Sequence, residues 1–311
     1  MTRLVTFGET TLRFSPPDHQ RIETADEMGL WADGTASSVA IAADRLGTPA
    51  VWISKVPDSP LGRRVVAELG EHGLDTDVVW ADEGRQGLAF HERGRAPRSS
   101  RRIEDREGAA VGTATPGELP MTLVQQAETV LVSGATLALS PTARETAGAI
   151  LRAATGTTVL ELDYRPGLWP PEEARDALRS VLDAVDTLVA NEDQIRTVFG
   201  GSGEPRELIH SLAADHDFER VVVTRSEYGA VAWDDSVIHE QSAIEADTVD
   251  PAGQHAAFVG GFLSALLSET PTDQALAYGV ATAAVARTVP GPLPLIERDE
   301  VQRTLSAVGA A

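Results

Sequence analysis

The 311-residue chain carries 47 acidic against 26 basic residues, a formal charge of -21, no cysteine, and Lys55 as its single lysine. That charge repels phosphate backbones and anionic membrane surfaces, which argues against nucleic acid and membranes as partners. The missing cysteines exclude disulfides, thiolate metal sites and cysteine nucleophiles, and the length suits one α/β domain with a sizeable core.

The carboxylates are spread along the whole chain and the cations are almost all arginine. Both features suit a protein kept hydrated in strong salt, hence a halophilic cytoplasm, the alternative being an acidic mesophile with a GC-rich genome. No stretch reads as a signal or transmembrane helix, so a soluble cytoplasmic protein is expected.

From the N-terminus, short apolar runs alternate with longer amphipathic stretches: Leu4 to Gly8, Ser38 to Leu46, Val51 to Ser54, Leu61 to Gly73. This is the rhythm of βαβ units around a parallel sheet. Two segments break it, about 13–33 and 86–106, where polar alternation such as Leu88-Ala89-Phe90-His91-Glu92 predicts antiparallel strands off the main sheet, together a small lid. Further on, Thr129 to Ser133, Thr158 to Asp163, Thr187 to Ala190 and Arg220 to Thr224 read as strands buried on both faces. The clusters Ser15-Pro16-Pro17 and Pro290-Gly291-Pro292 are turns, and with no repeat or linker the expectation is one domain over 1–311.

From Asp247 a turn-rich stretch, Asp250-Pro251-Ala252-Gly253-Gln254-His255, feeds an apolar helix that begins near Ala256. Such a loop gathers free backbone N–H groups and the positive helix end at one point, which favours an anion. Taken alone, a glycine-containing loop before a helix is commonly no more than that.

The stretch resembles the C-terminal motif of the ribokinase-like, or PfkB, carbohydrate kinases, an Asp-Thr-Thr-Gly-Ala-Gly-Asp-Ala-Phe-like run. Asp250, Gly253, Ala257, Phe258 and Gly261 match it in register. Further matches cover the chain: Gly8-Glu9, Gly34 to Ala40, Lys55 to Arg63, Ser133-Gly134, Tyr164-Arg165, Asn191-Glu192 and Thr224 to Gly229. Leu12-Arg13-Phe14-Ser15-Pro16-Pro17, Ser133 to Leu139 and Asp163-Tyr164-Arg165 look most like 2-keto-3-deoxygluconate kinases.

The resemblance implies a three-layer α/β/α core with a mainly parallel sheet and a small β lid, with a sugar or sugar acid under the lid. ATP with Mg²⁺ would lie along the sheet's C-terminal edge, and a homo-oligomer could form through the lid. Carried over, Gly34, Ser38, Ala89, Glu104, Arg106 and Arg165 would face the sugar. Arg165 would meet its carboxylate, or be a surface ion pair. Thr224, Ser226, Gly229, Gly253 and Val280 would border the nucleotide, with Gly253 either at the phosphates or an ordinary turn glycine. Asn191 and Gln194 would stand where an Asn-x-x-Glu motif organises magnesium and its waters.

Departures fall on the chemistry. Ala256 occupies the position of the family's base, a methyl that takes no proton, and His255 beside it is a weak substitute because a helix N-terminus disfavours imidazolium. Ser38 replaces a common Asn, Ala89 and Glu104 replace tyrosines, Ser226 replaces a glycine of a Thr-x-Gly-x-x-Gly turn, and Val280 replaces an Asn. Glu104 is expected to repel a sugar acid. The resulting expectation is a kinase homologue impaired or inactive in phosphoryl transfer, a pseudokinase. The alternatives are an active sugar kinase with a changed base, and a non-catalytic binding or regulatory subunit. The seven histidines form no ligand-like grouping, and no serine nucleophile elbow is present.

Overall fold

The computed structural model describes residues 2–201 and 203–309. In chain order its strands and helices are β1 (Leu4–Phe7), β2 (Thr11–Ser15), β3 (Gly29–Asp33), α1 (Thr35–Arg45), β4 (Ala50–Pro57), α2 (Pro60–Glu71), β5 (Asp75–Ala81), β6 (Leu88–Glu92) and β7 (Arg101–Asp105). They continue with α3 (Met121–Gln126), β8 (Thr129–Ser133), α4 (Pro141–Ala153), β9 (Thr157–Glu161), α5 (Pro171–Leu182), β10 (Thr187–Asn191), α6 (Glu192–Val198) and α7 (Pro205–Asp215). The last are β11 (Arg220–Thr224), β12 (Ala230–Asp234), β13 (Val237–Gln241), α8 (Gln254–Leu267), α9 (Thr272–Ala286) and α10 (Arg298–Gly309).

The main sheet runs β13-β12-β11-β10-β9-β8-β1-β4-β5, parallel from β11 to β5 with an antiparallel edge at β12 and β13. Runs such as Val130-Leu131-Val132 and Val221-Val222-Val223 are buried on both faces because helices cover the sheet above and below, which is why they read as unbroken apolar strings. The ribokinase-like α/β/α fold is thus the observed one.

Helix α8 is buried along most of its length between α1 and α9. A Cβ on Gly260 would stand 2.5 Å from Ala42 Cβ and one on Gly261 2.4 Å from Thr282 Oγ1, so two glycines set how closely the three helices approach. The helix opens at Gln254, two residues ahead of Ala256, with Gly253 at the N-cap in the left-handed region at φ 77°.

The second sheet, β3-β2-β6-β7, comes from the two segments that broke the alternation. Its β2 to β6 pairing is parallel, a departure from the antiparallel expectation. These strands are joined through β3, α1, β4, α2 and β5 and not by a hairpin, so the connection does not force them antiparallel. One face is apolar, with the Phe14 and Phe90 rings stacked at 5.3 Å and Leu30 and Ile103 exposed. The other carries Arg13, Asp33, His91, Arg102, Glu104 and Arg106. No helix among the described residues is long and apolar enough to cross a membrane.

Candidate active site

The N-terminus of α8 stands where two clefts meet. Thr248 to Gly253 line a cleft of about 840 Å³ beneath the second sheet, and Gln254, His255 and Phe258 line a slot at the C-terminal ends of β10 and β11. Buried Asp250 shapes the turn: its Oδ1 accepts from the Ala252 N–H at 3.0 Å and its Oδ2 from the Gly291 N–H at 3.2 Å. A Cβ on Gly253 would lie 2.3 Å from the Pro292 carbonyl oxygen, so no larger residue fits. No side chain caps the helix; the Gln254 and Ala257 N–H groups donate to the Pro251 and Gly253 carbonyl oxygens, which leaves the N–H groups of His255 and Ala256 and the positive helix end to an anion.

The slot gathers Asn191, Thr224, Ser226, Gly229 and Val280, residues that the sequence suggested for the nucleotide and its metal. Gly253 instead borders the larger cleft. Gly229 is required at φ 97°, where a Cβ would meet the Gln241 carbonyl oxygen at 2.0 Å. Ser226, in place of a glycine, keeps a left-handed φ of 48° despite its side chain. Asn191 and Gln194 form a capping box on α6, Asn191 Oδ1 accepting from the Asp193 N–H and Gln194 Oε1 from the Asn191 N–H. The glutamine thus serves the helix as a glutamate would. Among the described residues no group of three His, Asp or Glu side chains could hold a metal ion.

Between slot and cleft, Ala256 is buried among apolar neighbours on the first turn of α8. His255 reaches over the strand ends, with Nε2 2.7 Å from Glu161 Oε1 and Nδ1 3.0 Å from Thr224 Oγ1. Burial lowers the proton affinity of this imidazole, but the bond and charge of Glu161 outweigh it and hold its pKa above the ordinary value. Burial, with Asp163 nearby, pushes the Glu161 carboxyl upward.

On the lid side the sugar-facing candidates meet in one buried charge network. Arg165 donates to Asp163 at 2.8 Å and to Thr35 Oγ1 at 3.2 Å, and lies 3.6 Å from Glu104. Asp163 also accepts from Thr35 and Ser133, each at 2.8 Å. Arg106 donates to Glu9 at 3.0 Å and Glu104 at 2.8 Å. Gly34 caps α1, where a Cβ would stand 2.4 Å from the Glu9 carbonyl oxygen, and Ser38 lies buried one turn on. Ala89 pairs in register with Glu104.

The repulsion expected of Glu104 does not survive this arrangement. Burial would raise its carboxyl pKa, but Arg106, Arg165 and Arg102 outweigh it and hold it below the usual range, so its charge is spent on three guanidinium groups. Arg165 is a buried pair, not a surface one.

Several residues of the cleft escaped sequence reasoning: Arg13, Asp33, His91, Arg93 and Arg102 line it, and Glu161 holds His255. Arg102 donates to Asp33 and Glu104, each at 2.7 Å. Arg93 donates to the Val249 carbonyl oxygen and lies 3.7 Å from Asp250, so a lid residue grips the loop before α8. A signal existed for part of this. Arg102, Glu104 and Arg106 alternate at the strand period, placing opposite charges side by side on one face.

Residues 1–298 match the model of the pfkB family carbohydrate kinases. The chain is 51% identical over 305 residues to a 2-dehydro-3-deoxygalactonokinase of Haloferax volcanii, covering 97% of this chain and 96% of that one. Its fold superposes with a TM-score of 0.92 on the crystal structure of a 2-dehydro-3-deoxygluconokinase from Thermotoga maritima, at 26% identity over 98% of this chain and all of the other. A fructokinase with bound ATP from Xylella fastidiosa superposes with a TM-score of 0.87 at 18% identity, over 99% and 100% of the two chains.

Proposed function

The chain belongs to the pfkB family of carbohydrate kinases, and from that premise we propose that it is a 2-dehydro-3-deoxy sugar-acid kinase homologue that binds its sugar acid and ATP but transfers phosphate slowly. The observation that carries the reading is the meeting of the lid cleft and the strand-end slot at the uncapped start of α8. Similarity to the 2-dehydro-3-deoxygalactonokinase supports the substrate class.

The sugar acid would lie in the cleft and ATP along Thr224, Ser226, Gly229 and Val280, with its γ-phosphate at the turn of Gly253. In the transfer, a sugar hydroxyl oxygen would form a bond to the γ-phosphorus, the bond to the ADP oxygen would break, and the hydroxyl proton would pass to water. The helix end and the turn N–H groups stabilise the phosphoryl charge. Ala256 takes no proton, and general-base help is worth roughly 10²- to 10⁴-fold.

Magnesium usually keeps several waters and binds through substrate phosphates. Asn191 and Gln194, engaged in the capping box, do not fit a role as direct ligands. Magnesium would neutralise phosphate charge when it arrives with ATP.

One observation favours a second reading, an active kinase with a changed base: His255 beside Ala256 is held by a buried glutamate, as a working imidazole often is. The two are separated by assaying ATP-dependent phosphorylation of 2-dehydro-3-deoxygluconate and its galactonate epimer by the parent, Ala256→Asp and His255→Gln. Slow parent turnover raised by Ala256→Asp supports the first. Fast parent turnover abolished by His255→Gln supports the second, and silence from all three, with no ligand bound, removes both.

A further inference from the structure

The slot at the ends of β10 and β11 has an apolar part, Ile244, Phe258, Val280 and Ala283, and a polar one, Asn191, Thr224 and His255. Among the described residues no carboxylate lines it, in a chain that has 47 acidic residues. The His255 side chain is 27% exposed there, and both its ring nitrogens are engaged, Nε2 at 2.7 Å from Glu161 Oε1 and Nδ1 at 3.0 Å from Thr224 Oγ1.

A carboxylate only accepts, so Nε2 carries a hydrogen in either charge state of the ring, and the two states differ at Nδ1. The neutral ring accepts there and takes the one hydrogen of the Thr224 hydroxyl. The imidazolium donates there, and that hydrogen must point elsewhere. The Ala190 carbonyl oxygen offers only a long contact at 3.4 Å, and Thr224 also lines the slot.

The charges around the ring decide between the states. Glu161 and Asp163 bear on it from the end of β9 and, with the bond to Nε2, keep its proton against the penalty of burial. To the slot, β10 and β11 bring the neutral Asn191 and Thr224, and the end of α9 brings Arg287, which donates to the Ile244 carbonyl oxygen.

We propose that Glu161 and His255 act together as positioning residues that fix the polarity of Thr224, turning its hydroxyl hydrogen toward a phosphate of the nucleotide. The nucleotide as occupant rests on the function proposed above, whereas the polarity rests on these three side chains. The contact is a charge-assisted hydrogen bond, so retention of phosphate, and not of adenine, depends on a protonated ring.

The test compares calorimetric binding of a non-hydrolysable ATP analogue with that of adenosine, at fixed magnesium, as pH is raised. For the parent, affinity for the analogue should be highest below about pH 6.5 and fall about 10-fold as the ring deprotonates, while affinity for adenosine stays level. The analogue only gains negative charge with rising pH, which acts in the opposite sense. Thr224→Val should bind the analogue about 10-fold more weakly at low pH and lose the dependence, Thr224→Ser should restore both, and His255→Gln should level the profile. A level parent profile overturns the proposal, and so does a full fall in Thr224→Val, which would make the imidazolium act by charge alone.

Should Thr224→Val not fold, Glu161→Gln decides: the fall should move to lower pH, and an unmoved profile overturns the proposal. A parent that binds neither compound refutes the nucleotide reading alone. Inorganic triphosphate then serves as the probe: binding that falls with rising pH upholds the phosphate contact, and no binding, or binding level with pH, overturns it.

Discussion

The imidazole of His255 donates or accepts at both ring nitrogens, spanning from Glu161 at the end of β9 to Thr224 at the end of β11. Its pKa lies above 6.5, so in the folded chain the imidazole keeps a proton that the unfolded chain releases. The stability from the pair is therefore fully present below about pH 6.5 and is lost as pH rises through the folded value. In Glu161→Gln the imidazole should titrate lower by NMR, and the fall in urea midpoint as pH rises above about 6.5 should flatten. An unchanged His255 titration would show that Glu161 does not hold its proton.

Ser226 holds a left-handed backbone, φ 48°, a conformation that glycine adopts without strain. Ser226→Gly should raise stability by roughly 0.5–1 kcal/mol, the relief of strain exceeding the added entropy of the unfolded chain. Denaturant midpoints measure this. A lower midpoint would mean that the serine side chain makes a compensating contact.

The buried Glu104 carboxylate is shared by the buried Arg106 and by the partly exposed Arg102 and Arg165. Glu104→Ala takes one carboxylate partner from three guanidinium groups that keep Asp33, Glu9 and Asp163, and should cost about 1–3 kcal/mol, with Glu104→Gln costing less. Equal midpoints for parent and Glu104→Ala would refute the network as a stabilising unit.

The formal charge of -21 makes the fold sensitive to screening. In molar salt the chain should fold, and on dilution to about 0.1 M, where the Debye length is about 10 Å, it should unfold. Far-UV circular dichroism during dilution reads this directly, and full ellipticity in dilute buffer would set the halophilic expectation aside.

The parallel strands were legible because burial on both faces writes itself as strings such as Val221-Val222-Val223. The turn at Gly253 was legible because a left-handed N-cap demands glycine. The partnership of His255 with Glu161 was not, since 94 residues separate them and only the sheet brings β9 beneath α8. Arg13, His91 and Arg102 were hidden for a related reason: each lies on a different lid strand, and the parallel register of β2 with β6 is set by tertiary packing. Glu104 was misjudged because its neighbours at the strand period were not counted as partners.

Arg93 ties the lid to Val249 and Asp250, so β6 and the chain entering α8 hang on one tether. In the proposed binding mode the same guanidinium couples the two clefts, so a shift of β6 that parts Arg93 from Val249 would be felt at the turn of Gly253.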